Sequence, residues 1–161
     1  MKIVHSHVID DMVEVTEKIE EEGPHHLLPD LYQFIAMSYS AKHQSNDALM
    51  YYHESLEIKR ELLGEIHLDI ADIHGDVGVT YHQLGDEDEA FRHMTQSLEI
   101  RQIVTGKNSF GVALSYDLAS VHNKRGEYEQ AYQLTREALH TVLNICGENS
   151  FYTGVAYQKM Y

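Results

Sequence analysis

The chain is poor in residues that break helices or form cross-links. Among 161 residues there are two prolines, one cysteine and no tryptophan. Scarce proline suits a nearly all-helical chain, because proline removes a backbone donor inside a helix. The single cysteine excludes an internal disulfide. No apolar run approaches the roughly 18 residues of a membrane span, and residues 1–7 lack the apolar stretch of a secretory signal, so we expect a cytoplasmic protein.

Positive charge is also scarce. The chain has 12 lysine and arginine residues against 26 aspartate and glutamate residues, which gives a formal net charge of −14. This charge repels the phosphates of nucleic acid and the anionic surfaces of membranes. We therefore expect neither nucleic acid nor a membrane as a partner.

What the chain does have is an internal period. Four glycines recur at intervals of 41, 42 and 41 residues: Gly23, Gly64, Gly106 and Gly147. Two further ladders of small residues keep the same step: Ala36, Gly78 and Ala119, then Ala48, Ala90 and Ala131. A period of this size is typical of stacked supersecondary units. Only the interval that follows each period glycine varies. Because an extra residue would rotate a packed helix by about 100°, that interval is expected to contain a loop.

Each period is predicted to hold two helices. Apolar residues spaced for one helical face, such as Ile73 and Val77, form the first helix, helix A. Gly85 and Gly126 end this helix in the second and third units, whereas His43 stands at that place in the first. Helix B follows and ends at the next period glycine. We expect the small residues to let the two backbones approach closely.

Two stretches carry a family resemblance. They read Gly78-x-x-Tyr81-x-x-x-Gly85-x-x-x-x-Ala90 and Ala119-x-x-His122-x-x-x-Gly126-x-Tyr128-x-x-Ala131, followed by Ser97-Leu98 and Ala138-Leu139. This pattern resembles the tetratricopeptide repeat. The longer repeat, with similar endings at 56–64 and 98–106, is similar to the kinesin light chain type. The resemblance implies an all-α fold, a right-handed α-solenoid of stacked antiparallel helix pairs. The alternative of a HEAT repeat fits the length but not the glycine and alanine positions.

One domain over 1–161 is expected, with three full repeats between two half repeats. The predicted segments are an orphan helix B at 1–23, repeats at 24–64, 65–106 and 107–147, and a partial helix A at 148–161. In the first segment His7 stands where the full repeats have alanine. The incomplete ends allow two interpretations, a portion of a longer protein or open ends that join chains into a homo-oligomer.

No catalytic or metal-binding pattern emerges. The segment 106–109 is not a phosphate-binding loop, because Arg101 stands where such a loop needs its first glycine. Cys146 has no base placed near it by a motif. The histidine clusters at 5–7 and 25–26 lack further ligands at zinc spacing. We therefore expect no enzyme activity, no cofactor and no metal.

In the tetratricopeptide family helix A lines the concave surface, and counting from Ala36, Gly78 and Ala119 carries its inward positions onto this chain. The resulting candidate peptide-binding residues are Gln33, Phe34, Met37, Asp72, Asp76, Val79, Tyr116, Asp117 and Ser120. The three aspartates predict an acidic groove with an aromatic and methionine floor. Such a groove repels the acidic peptides that kinesin light chains prefer.

The predicted function is a protein–protein interaction scaffold that binds a basic or amphipathic peptide or partner protein. Three alternatives remain open at this point. In the first, the chain is a self-assembling structural element. In the second, it is a sensor or regulatory array of a larger signalling protein. In the third, its carboxylates are only a solvated surface.

One position departs from the repeat in its chemistry. His122 stands in register with Tyr39 and Tyr81. We expect it to fill the same half-buried place between helices, where protonation of the imidazole would make packing sensitive to pH.

Overall fold

A computed structural model describes residues 4–22, 25–106, 112–148, 150, 153–154 and 158. Over these ranges the chain forms seven α-helices and no strand, which confirms the all-α prediction. The helices are α1 (Val4–Glu22), α2 (Leu28–Ala41), α3 (Ser45–Leu63), α4 (Leu68–Leu84), α5 (Glu87–Thr105), α6 (Val112–Lys124) and α7 (Tyr128–Cys146). A turn of 3-10 helix, His25–Leu27, precedes α2.

Two compact units divide the chain, Met1–Glu65 and Ile66–Tyr161. In the first unit α2 packs against α1 and α3, and in the second α4 packs against α5 and α6 against α7, with α5 also touching α6. Helices A and B of each predicted repeat are therefore packed neighbours. The predicted partial helix at 148–161 falls mostly outside the described residues, as does the side chain of His7. The expectations of a single domain and of open ends stay predictions.

Helix A ends in the same way in all three repeats. His43, Gly85 and Gly126 have φ of 59°, 83° and 78°, in the left-handed region. The backbone N–H of the following residue donates a hydrogen bond to a carbonyl group of the last helical turn. These bonds run from Gln44 to Tyr39 O at 3.0 Å, from Asp86 to Tyr81 O at 3.0 Å and from Glu127 to His122 O at 2.9 Å. The bonds satisfy carbonyl groups that a helix end otherwise leaves unpaired. His43 thus adopts the left-handed conformation that glycine adopts in the other two repeats, although its Cβ atom disfavours that conformation.

Replacing His43 by glycine is expected to stabilise the protein. A left-handed conformation costs a non-glycine residue about 1–2 kcal/mol. Glycine removes this cost but offsets about 0.4–1 kcal/mol of the gain, because it makes the unfolded chain more flexible. His43→Gly should therefore raise the free energy of unfolding by about 0.5–1 kcal/mol in urea denaturation. The reverse change Gly85→His, whose added Cβ meets no atom within 4 Å, should lower it similarly. A less stable His43→Gly variant would contradict the argument.

The backbones of α4 and α5 approach closely at Gly78. A Cβ placed there would lie 2.6 Å from Met94 Cγ, 3.0 Å from the Met94 backbone nitrogen and 3.2 Å from the Ala90 carbonyl oxygen. The first of these distances is shorter than carbon–carbon contacts allow. The expected close approach of small residues is therefore confirmed for this pair of helices.

A matched pair of alanine substitutions tests this contact. Gly78→Ala should lower the free energy of unfolding by about 1–3 kcal/mol, because the added methyl group overpacks the interface. Gly75→Ala should leave stability unchanged or raise it by up to about 1 kcal/mol, through better helix propensity. At Gly75 the nearest atom to an added Cβ is Ser97 Oγ at 3.4 Å. Equal losses in the two variants would refute the close-approach argument.

Buried serines on helix B anchor the start of helix A in the first two repeats. Ser55 Oγ donates to the carbonyl of Pro29 at 2.6 Å, and Ser97 Oγ donates to that of Ala71 at 2.5 Å. The two serines are fully buried and 42 residues apart. The third repeat has Ala138 at this register. These bonds hold the helix A face that carries the candidate site.

Candidate functional site

In the second unit, α4 presents Asp72, Asp76 and Val79. Their spacing of four and three residues puts them on one face of the helix. Asp72 is exposed, whereas the other two are half-buried. Val79 packs against a core cluster that includes Met94, and the Asp76 carbonyl accepts a hydrogen bond from Thr80 Oγ1 at 2.8 Å. The face is therefore polar at its first turn and apolar further along.

Asp72 is ion-paired within the protein. Its carboxylate contacts the guanidinium of Arg101, which α5 contributes. The Arg101 Nε also lies 3.4 Å from Ser97 Oγ. Because the guanidinium neutralises the carboxylate, Asp72 adds less negative charge to this face than the sequence suggested.

α6 contributes Tyr116, Asp117 and Ser120, all half-buried. The Tyr116 ring packs against the cluster of Leu139 and Val142. Burial raises the pKa of the Tyr116 phenol, and its hydroxyl has no hydrogen-bond partner among the described residues. Tyr116 is therefore partly a core side chain, and its place in a groove stays a prediction.

A polar network joins α4, α5 and α6 beside this face. The Glu87 carboxylate contacts His82 Nδ1 at 2.7 Å and accepts a hydrogen bond from Lys124 Nζ at 2.8 Å. His82 Nε2 lies 3.3 Å from Ser120 Oγ. Burial raises the pKa of Glu87, but the hydrogen bonds from Lys124 and His82 outweigh this and hold it below its usual value. The network thus fixes Ser120 against α4.

His122 is buried in the interhelical place predicted for it, in edge contact with Phe91 at 5.2 Å between ring centroids. Its Nδ1 lies 2.5 Å from the Glu127 carboxylate. Hydrogen bonds from His122 and then Arg125 lower the pKa of Glu127. His122 therefore contacts a carboxylate in its interhelical place, and the expected pH sensitivity of its packing stays a prediction.

In the first unit, α2 presents Gln33, Phe34 and Met37. The side chains of Phe34 and Met37 are 60% and 48% exposed. Gln33 Oε1 accepts a hydrogen bond from the buried Lys59 Nζ at 2.9 Å, and the same Nζ lies 2.7 Å from Asp30 Oδ1. This face combines two exposed apolar side chains with an internally balanced charge.

The structure therefore distributes the nine predicted residues over two faces, three on α2 in the first unit and six on α4 and α6 in the second. The sequence reasoning missed the cations on helix B that neutralise two of the helix A carboxylates. A signal was present, because Lys59 and Arg101 stand 42 residues apart, as do Asp30 and Asp72. The third repeat has Val142 and Ala113 at these positions.

Metal sites and membrane spans are absent from the described part of the chain. None of its groups of three or more histidine, cysteine, aspartate or glutamate side chains could hold a metal ion. No helix within the same ranges is both long and apolar enough to cross a membrane.

The geometry of paired helices, left-handed turns and small contact residues agrees with the comparison with known families. Residues 27–103 match the family model of the tetratricopeptide repeat. These residues are tetratricopeptide repeats.

Solved structures extend the likeness over nearly the whole chain. The crystal structure of BtubC (BKLC) from P. vanneervenii superposes with a TM-score of 0.85 at 17% identity, covering 99% of this chain and 65% of that one. The crystal structure of a Podosopora anserina putative kinesin light chain, with nearly identical TPR-like repeats, gives 0.79 at 15% identity, covering 97% and 75%. At these identities the likeness shows the fold alone, an α-solenoid.

Curated relatives are much longer proteins. The clustered mitochondria protein homolog of Danio rerio is 27% identical over 118 residues, which are 73% of this chain and 8% of that protein. The Brugia malayi homolog is 31% identical over 75 residues, 46% of this chain and 5% of that protein. The matched segments thus span less than a tenth of the length of these relatives.

The network around Glu87 predicts acid sensitivity. A carboxylate with a lowered pKa stabilises the fold above its unfolded pKa of about 4.3, and this contribution is lost as pH falls through the folded value. Glu87→Gln should lower the free energy of unfolding by about 1–2 kcal/mol at pH 7. The substitution should also weaken the dependence of the free energy of unfolding on pH below about 4.5, measured by urea denaturation. The exposed Glu99→Gln on the same helix is the control, and an equal effect there would contradict the assignment.

Proposed function

We propose that this tetratricopeptide-repeat segment is a protein-interaction module whose helix A faces bind a basic or amphipathic segment of a partner protein. The fold generally mediates protein–protein interaction, and the proposal adds the site and the chemistry of the ligand. The observation that carries it is the pair of exposed apolar side chains, Phe34 and Met37, one turn apart on α2. A partner that covers both side chains removes apolar area from water.

The charge of the second unit supports a basic ligand. Asp76 and Asp117 lie half-buried on neighbouring helices that contact one another, α4 and α6. A cation about 4 Å from a carboxylate gains about 1 kcal/mol in water and about 4 kcal/mol at the effective dielectric of a protein surface. Asp72 contributes less, because it is exposed to water. Because half-burial strengthens their attraction for a cation, Asp76 and Asp117 are the main charged residues of the proposed site.

The proposal divides recognition between two chemistries. In the first unit α2 supplies apolar contact through Phe34 and Met37, and in the second unit α4 and α6 supply carboxylates. Apolar side chains of an amphipathic partner suit the first face, and lysine or arginine side chains suit the second. Because surface electrostatics are screened by salt, such binding should weaken as ionic strength rises.

Peptide titration by fluorescence anisotropy tests the proposal with matched controls. A lysine- and arginine-rich amphipathic peptide should bind, and a glutamate- and aspartate-rich peptide of equal length should not. Asp76→Lys and Asp117→Lys should each weaken binding at least tenfold, because each replaces attraction by repulsion. Glu99→Lys makes the same charge change at an exposed position of α5 and should alter binding less than twofold.

The apolar contribution has its own control. Met37→Ser should weaken binding severalfold, whereas Met50→Ser, which changes a methionine 53% exposed on α3, should not. Preference for the acidic peptide, or equal losses at Glu99 and Asp76, would overturn the proposal.

A further inference from the structure

Two histidines are buried against each other between α4 and α5. His74 and His93 are 3% and 2% exposed. Their Nδ1 atoms are 2.8 Å apart and their ring centroids 5.0 Å apart. The ring of Tyr81 stacks on His93 at 5.7 Å. The pair belongs to neither candidate binding face, and the proposed function makes no use of it.

The neighbours decide which nitrogens carry protons. Arg92 Nη2 lies 2.8 Å from His93 Nε2, and a guanidinium can only donate. His93 Nε2 is therefore an acceptor, and neutral His93 carries its proton on Nδ1. That proton is donated to His74 Nδ1, so His74 carries its own proton on Nε2. In this arrangement both rings are neutral.

The contact cannot accommodate two additional protons. An imidazolium has N–H on both nitrogens, so two imidazolium rings would point N–H at N–H across 2.8 Å. A proton on His93 Nε2 would also face the guanidinium of Arg92. The Glu89 carboxylate lies 3.8 Å from that nitrogen and is already paired with Arg92. The folded pair therefore excludes at least one proton.

Carboxylates on the packed helices do not reverse this conclusion. Asp76 lies on α4, and α6 carries Asp117 together with His122 and Lys124. A carboxylate beside the pair would favour a first proton, but the repulsion between two facing N–H groups would still exclude the second. His122 and Lys124 contact the carboxylates of Glu127 and Glu87.

We propose that the His74–His93 contact makes the packing of α4 on α5 acid-sensitive, so that lowering the pH loosens the second unit. In the unfolded chain both histidines titrate near pH 6.5. Below that pH the unfolded state binds more protons than the folded pair, so stability falls as pH falls. Each excluded proton changes the unfolding equilibrium by up to about tenfold per pH unit.

Two carboxylates of the second unit act in a different window. Glu87 and Glu127 have lowered pKa values. Their contributions are lost only below about pH 4.3. A variant that replaces both buried histidines is therefore needed to assign a loss of stability between about pH 6 and 5 to this pair.

The other repeats supply replacements for the test. Position 74 corresponds to Tyr32 and Ser115, and position 93 corresponds to Tyr51 and Leu134. The Tyr32 and Tyr51 rings pack 6.0 Å apart. The double variant H74S/H93L therefore places in the second repeat a pair of side chains that the third repeat already has.

Urea denaturation of the full chain from pH 7.5 to 5 is the experiment. The equilibrium constant for unfolding should rise as pH falls from 6 to 5. This rise should be smaller in H74S/H93L than in the wild type, by up to about tenfold per pH unit. The control H43N/H140S removes two exposed histidines. The rise of its unfolding constant from pH 6 to 5 should match that of the wild type within twofold. An unchanged pH dependence in H74S/H93L would overturn the proposal.

Nitrogen NMR of the wild-type imidazoles gives a readout that does not require a folded variant. At pH 7.5 it should show His93 protonated on Nδ1 and His74 on Nε2. Two imidazolium signals from this pair at pH 5, in a chain whose α4 and α5 amides keep their folded shifts, would also overturn the proposal.

Discussion

The packing of helix B on helix A is the constraint on which the rest of the structure depends. In the second repeat it is set by Gly78, which leaves no room for a methyl group against Met94 and Ala90. At this short distance side chains of the two helices meet directly across the contact. Ser97 reaches the Ala71 carbonyl, and the same nearness brings cations of helix B to carboxylates of helix A. Backbone proximity therefore determines both the core and the charge of the exposed face.

Those cations change the electrostatic interpretation of an acidic protein. The formal charge of −14 suggests a strongly negative binding surface. Lys59 and Arg101 offset part of it locally, on Asp30 and Asp72. In a complex with a basic ligand, charged contacts favour selectivity and fast association more than affinity.

The second unit also contains histidines in two kinds of surroundings. His122 contacts the Glu127 carboxylate. His74 and His93 face each other, and their hydrogen bond requires that only one of the two Nδ1 atoms carry a proton. The sequence suggested pH sensitivity at His122, which stays a prediction, and the structure motivates a separate proposal for the other two histidines.

The sequence by itself determined the repeat, the two helices of each unit and the turn at which helix A ends. These follow from local rules, because periodicity and left-handed glycines act within a few residues. It also predicted the close approach at Gly78. Only the tertiary structure decided that Asp72 is neutralised, that Tyr116 packs into the core and that His74 meets His93. Such contacts join side chains about 19 to 29 residues apart, and their existence depends on the packing distance between helices, which no local pattern encodes.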